Sequence, residues 1–198
     1  VENCVFYASD RGIGMHPYDG GNIEDITFNN IVMESRETPP NYTERAISFD
    51  VRPRAADRKS ETASKTAGII RNITFSNMTF RGPCRVIIGA ETDFPVENLR
   101  FFNITHDITK SQELSEFENP SPSPMQYAFT LPHLRTTPAY YVIHGVNGLI
   151  MENVTIRSSA DGELSPMNAV YLENVTDARI DRVESQVPLK DNALVVEA

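Results

Sequence analysis

A right-handed parallel β-helix, an all-β solenoid, is the fold that this sequence predicts, on three observations. One apolar rhythm recurs along the whole chain. Its steps fit a strand that turns a corner and continues, not a helix. An asparagine stands at the same place in each repeat.

The rhythm is plainest in "IEDITFNNIVM", where Ile23, Ile26, Phe28, Ile31 and Met33 are apolar at steps of 3, 2, 3 and 2. "IRNITFSNMTF" repeats it through Ile70, Ile73, Phe75, Met78 and Phe80. A third phrase runs Val96, Leu99, Phe101, Ile104, and a fourth Val146, Leu149, Met151, Val154, Ile156. A fifth runs Met167, Val170, Leu172, Val175 and continues through Ala178, Ile180 and Val183. A step of two keeps alternate side chains on one face of a strand. A step of three would flip that face outward unless the chain bends there.

Asn30, Asn77, Asn103, Asn153 and Asn174 each precede the apolar residue after the slip. Asparagine tolerates a left-handed backbone, and stacked asparagines can bond in a ladder. The intervals are 77-30=47, 103-77=26, 153-103=50 and 174-153=21. The short ones suit one coil. The long ones suit two coils, or one coil with an insertion, and "AISFDV" (Ala46 to Val51) supplies a strand in the first of them. An ordinary β-sandwich would not share this rhythm with Asn in register.

The 198 residues fit one domain, 1–198, better than two. Two stretches break the rhythm and read as excursions, at about 52–67 and 107–139. The first is polar, with Arg52, Arg54, Arg58 and Lys59. The second is rich in Pro, Ser and Glu. "ENCVF" (Glu2 to Phe6) matches the end of a phrase. The chain is therefore expected to begin in mid-coil, as the C-terminal part of a longer β-helix whose upstream coils are its partner.

The net charge of −9 argues against nucleic acid and anionic membrane as partners. No apolar run is long enough for a transmembrane helix. Cys4 and Cys84 are far apart and read as buried free thiols in preference to a disulfide. No nucleophile elbow, zinc spacing or other metal motif occurs, and no cofactor is expected. His106, His133 and His144 are separate in sequence, and His106 falls on an apolar phase, as a core or edge histidine would. The N-x-S/T patterns at Asn72, Asn77, Asn103, Asn153 and Asn174 belong to the repeats and read as architecture. Asn41 alone lies outside them.

The candidate chemistry lies in "SDRGIGMHPYDGG" (Ser9 to Gly21), which sets Asp10, Arg11, His16, Tyr18 and Asp19 among glycines. Sugar sites need carboxylates, cationic donors and an aromatic face, and all three occur here. Arg52 and Arg54 add candidate contacts for an acidic ligand such as a uronate. The expected substrate-binding set is Asp10, Arg11, His16, Tyr18, Arg52 and Arg54, with an oligosaccharide or polysaccharide as partner.

The stretches "RGIGMHPYDGGNIEDITFNNIVM", "RNITFSNMTFRGPCRVIIGAETDFPVENLRFFNIT" and "IHGVNGLIMENVTI" resemble, in order, the C-terminal part of the polygalacturonase-like enzymes, family 28 of the glycoside hydrolases. The resemblance implies a secreted or periplasmic enzyme that cleaves pectic chains with inversion. In such enzymes a carboxylic acid protonates the glycosidic oxygen and carboxylates about 6.5–9.5 Å away activate water. The family's catalytic aspartates sit in N-T-D, D-D and G-H-G segments, which are expected upstream of Val1. Its later R-I-K segment aligns with Gly14, Met15 and His16, so the Arg and Lys that would hold a uronate are Gly and His here. That departure argues for a related pectic or plant-wall glycan over plain polygalacturonate. Two alternatives stand beside this reading: a non-catalytic carbohydrate-binding or structural β-helix, and a polysaccharide lyase, which would need a calcium-binding acidic cluster.

Overall fold

The computed structural model describes residues 1–9, 12–35, 45–54, 64–111, 131 and 133–197. They form one curled, ten-stranded sheet in which every pairing is parallel. The strands are β1 (Glu2–Ser9), β2 (Ile13–Met15), β3 (Ile23–Ser35), β4 (Arg45–Val51), β5 (Ile70–Arg81), β6 (Arg85–Ala90), β7 (Val96–Ile108), β8 (Ala139–Ser158), β9 (Asn168–Ser185) and β10 (Leu194–Glu197). A single helical turn, α1 (His133–Thr136), precedes β8.

The sheet curls because β8 is long enough to serve two neighbours. Its first half pairs with β6 and its second half with β7. This yields two facing stacks. One holds β2, β4, β6, the first halves of β8 and β9, and β10. The other holds β1, β3, β5, β7 and the second halves of β8 and β9. "AISFDV" is β4, as expected, so the 47-residue interval is one pass with an excursion, and so is the 50-residue one. The excursion residues 55–63 and 112–130, with Arg58 and Lys59, lie outside the described residues, as does Asn41.

The corners are left-handed, as the slips required. Asn3, Asn30, Asn77, Asn103 and Asn153 have φ of 52–56°. Their amides form a ladder: Asn30 donates to Asn3 at 2.7 Å, Asn103 to Asn77 at 3.0 Å and Asn153 to Asn103 at 3.0 Å. Asn77 breaks the pattern and donates to Asn29, not Asn30. A second ladder links Asp25, Asn72 and Asn98.

Asn174 is not part of the first ladder. Val175 pairs with Val146, so Asn174 stands level with Gly145, at the corner between the two stacks. The residue level with Asn153 is Arg182, also left-handed at φ 53°. Its guanidinium turns back to Glu152 at 3.0 Å instead of extending the ladder.

In-register stacking puts like residues in rows. Phe28, Phe75 and Phe101 stack at centroid distances of 5.1 and 5.3 Å. Ile31, Met78, Ile104 and Val154 form the next row inward. Like charges would repel in such rows, and on the outer face the signs alternate instead, as in Glu24–Arg71 and Glu34–Arg81. These exposed pairs set register more than stability, at about 0–1 kcal/mol each.

Neither cysteine is in a disulfide; Cys84 is buried and Cys4 half-buried. His106 is fully buried, as its apolar phase implied, but only half satisfied: Nε2 lies 3.5 Å from the Cys84 sulfur and Nδ1 has no partner. Burial pulls its pKa from 6.5 to about 4, against small opposing effects of Cys84 and Asp107. The unfolded chain therefore binds a proton that the folded chain refuses. This contribution is complete above about pH 6.5 and is lost as the pH falls toward 4. Urea unfolding at pH 7.5 and pH 5 should show the protein losing about 2 kcal/mol more than a His106→Leu variant loses. Equal losses in the two proteins would contradict the assignment.

Candidate functional site

The sequence-predicted residues meet at the N-terminal end of the first stack. Met15 of β2 pairs with Phe49 of β4, so the next residues, His16 and Asp50, are neighbours on the outer face. The chain then turns: Tyr18 N–H donates to the His16 carbonyl at 2.9 Å, and Arg54 N–H to the Tyr18 carbonyl at 3.0 Å. Gly68 N–H donates to the Pro17 carbonyl at 2.7 Å. A β-carbon on Gly68 would lie 1.9 Å from the Gly21 carbonyl oxygen, so only glycine lets these two segments close on each other.

Tyr18 is the hub. Its ring stacks on His16 at 5.6 Å and 29°. The guanidinium carbons of Arg52 and Arg54 lie 5.2 and 5.4 Å from its centroid. Its hydroxyl donates to Asp50 Oδ2 at 2.8 Å, and the same oxygen accepts from Arg52 Nε at 2.9 Å. The hydroxyl also lies 3.4 Å from His16 Nδ1. Burial first, and then Asp50, push the Tyr18 hydroxyl up, so it stays a donor throughout the physiological range.

Four of the six predicted binding residues, His16, Tyr18, Arg52 and Arg54, thus converge. Asp10 and Arg11 lie outside the described residues. The roles differ from those expected. Tyr18 is buried, so it orients its neighbours and offers no open stacking face. Arg54 forms a bidentate pair with Asp19, through Nε at 2.6 Å and a terminal nitrogen at 2.5 Å. Arg52 and Asp50 form a buried ion pair.

The place of the R-I-K segment has its own geometry. Met15 points into the core. Gly14 is exposed, and a β-carbon there would lie 3.0 Å from His16 Nε2. The imidazole therefore crowds position 14 and would have to give by a few tenths of an ångström to admit a side chain there.

Sequence reasoning missed Asp50, although its signal was present. In "AISFDVR", Ile47, Phe49 and Val51 point inward, so Ser48, Asp50 and Arg52 share the outer face. Glu91 was missed as well. Its N–H donates to the Val51 carbonyl, and desolvation, aided by Asp50 and Asp93 and opposed by Arg52, raises its carboxyl pKa.

Further along the same face, His144 Nδ1 donates to the Ala90 carbonyl at 2.9 Å, and Nε2 accepts from the Asn174 amide at 2.9 Å. The His133 ring lies 6.3 Å away and bonds Glu173 at 2.7 Å. The two histidines, remote in sequence, are therefore neighbours. Among the described residues no three His, Cys, Asp or Glu side chains are grouped to hold a metal.

Comparison of the chain with protein-family models, with curated proteins and with solved structures finds no match in any of the three.

Proposed function

We propose that the curled sheet is a stretch of right-handed parallel β-helix, and that the chain belongs to a secreted glycoside hydrolase of the polygalacturonase-like kind. It would cleave a pectic or related plant-wall polysaccharide with inversion. The observation that carries this reading is the convergence of His16, Arg52 and Arg54 on Tyr18, beside Asp50, at the position that the resemblance assigns to substrate contact. The two facing stacks of parallel strands, with each strand in register with the one before, support the solenoid.

In this reading the chain's own residues bind and orient. The Asp50–Tyr18–His16 chain of contacts holds the imidazole in one orientation. The imidazole is then placed to contact a sugar hydroxyl. The acid and base would come from the N-T-D, D-D and G-H-G segments, which these 198 residues do not contain.

The test is reducing-end release from a panel of pectic polysaccharides by the full-length protein, with the anomer of the first product read by NMR. Release of the inverted anomer is expected, with kcat/KM lowered about tenfold or more in a His16→Ala variant. Glycan binding without release from any substrate would move the protein to a non-catalytic β-helix.

A further inference from the structure

Among the described residues no strand lies on the far side of the second half of β9, while β10 covers its first half. The N–H and C=O groups along such an edge can pair with any extended chain, so natural sheets blunt their edges. The residues of β9 change character at this edge. Leu149, Met151, Val154 and Ile156 of β8 are fully buried, and level with them on β9 stand Ala178, Ile180, Val183 and Ser185. Leu gives way to Ala and Ile to Ser, so less apolar surface faces the open end. Ile180 and Val183 stay half-buried, and alone they would still accept a strand.

The outer row carries the refusal. Ile150, Glu152, Asn153 and Thr155 of β8 stand level with Arg179, Asp181, Arg182 and Glu184 of β9, so one charge becomes four. A further strand would draw all four partly out of water. The corner holds the most specific change. Each asparagine amide of the ladder donates to a side-chain oxygen in the coil before, as Asn103 does to Asn77 and Asn153 to Asn103. Arginine has N–H donors and no acceptor, so an asparagine in a further coil would find nothing there to receive its amide. The Arg182 guanidinium instead turns back, to Glu152 at 3.0 Å and Asp181 at 3.6 Å. Its backbone is left-handed at φ 53°, a conformation that asparagine adopts more readily than arginine. The corner gives up local preference for a side chain that ends the ladder.

We infer that the second half of β9 is a built end to its stack, an edge that refuses strand addition by a second copy of this chain or by another polypeptide. Arg182 is the residue that stops the ladder, and Arg179, Asp181 and Glu184 keep the edge in water.

The experiment gives this edge, in the full-length protein, the residues of the coil before it: Arg179→Ile, Arg182→Asn and Glu184→Thr together, and Arg182→Asn alone. The probe is a fluorescein-labelled peptide of residues 147–156, NGLIMENVTI, followed by anisotropy, with sedimentation velocity on the protein alone. The triple variant should bind the peptide at least about tenfold tighter than the parent protein does. A peptide carrying Asn153→Ala should lose most of that gain. Arg182→Asn, an exposed change at a corner that suits asparagine, keeps the test decisive if the triple variant does not fold, and should bind severalfold tighter than the parent. Equal binding by the parent and both variants would overturn the inference. So would a parent protein that self-associates and becomes monomeric on Ile180→Asp.

Discussion

A Phe75→Ala variant is expected to lose about 3–5 kcal/mol of stability, the largest effect of any single substitution in the core. Phe75 is fully buried at the middle of the aromatic row, 5.1 Å from Phe28 and 5.3 Å from Phe101. Phe49, from the opposite stack, closes on it at 6.2 Å. The cost is high because the hole cannot close. Its lining residues are fixed at the strand spacing of roughly 4.8 Å by parallel hydrogen bonds on both sides. They cannot move inward without breaking the ladders that hold β3, β5 and β7 in register. Urea or thermal unfolding checks it, with Val32→Ala as control. Val32 lies in a neighbouring strand but is 46% exposed, and its truncation should cost little. A loss below about 1 kcal/mol for Phe75→Ala would mean that the row is not the packed interior described here.

The second large effect is expected at Arg85, a cation sunk entirely in the protein. Burial pulls its guanidinium down to about 9, so it remains charged at neutral pH. Among the described residues it donates to three carbonyls of one segment: Ala139 at 2.8 Å, Arg135 at 2.8 Å and Thr137 at 2.5 Å. Those bonds tie α1 and the entry to β8 against β6, where Leu134 packs on Ile87 and Val142. An Arg85→Met variant keeps much of the apolar volume but removes the guanidinium donor from three carbonyls, of which that of Thr137 keeps the Ala139 N–H. A loss of about 3 kcal/mol is expected from charge-assisted bonds of this kind. Because the bonds converge on one segment, the loss should also be local. Trypsin should cut at Arg135 in the variant under conditions where the parent protein resists. Unchanged stability and unchanged protection would show that α1 is held by its leucine alone.

The architecture was legible because a step of three in a strand pattern has a steric meaning, and because Asn marks the left-handed corner that follows. The same rule explains the one misplacement. Met167, Val170, Leu172 and Val175 keep the rhythm, but so do Val175, Ala178, Ile180 and Val183. The slip from Leu172 to Val175 is the corner between the two stacks, where the equivalent step is Ile143 to Val146. Asn174 therefore looked like its cousins while serving another corner. The true equivalent, Arg182, carries no turn signature, because its left-handed backbone is supported by pairing to Glu152.

The site was legible in part for a similar reason. Types of residue can be read from "GMHPYDGG" and "RPR", and they do converge. What a linear reading misses is which charges answer which. Arg52 meets Asp50 two residues before it, on the same outer face, and Arg54 meets Asp19 from 35 residues away. Only the fold shows that both cations are already engaged.

The most direct measurement is the crystal structure of the protein with a bound pectic oligosaccharide containing both neutral and acidic sugars. A sugar ring is expected against His16, with the Asp50–Tyr18 hydrogen bond kept. A glycan bound on the opposite stack with nothing at His16 would contradict it.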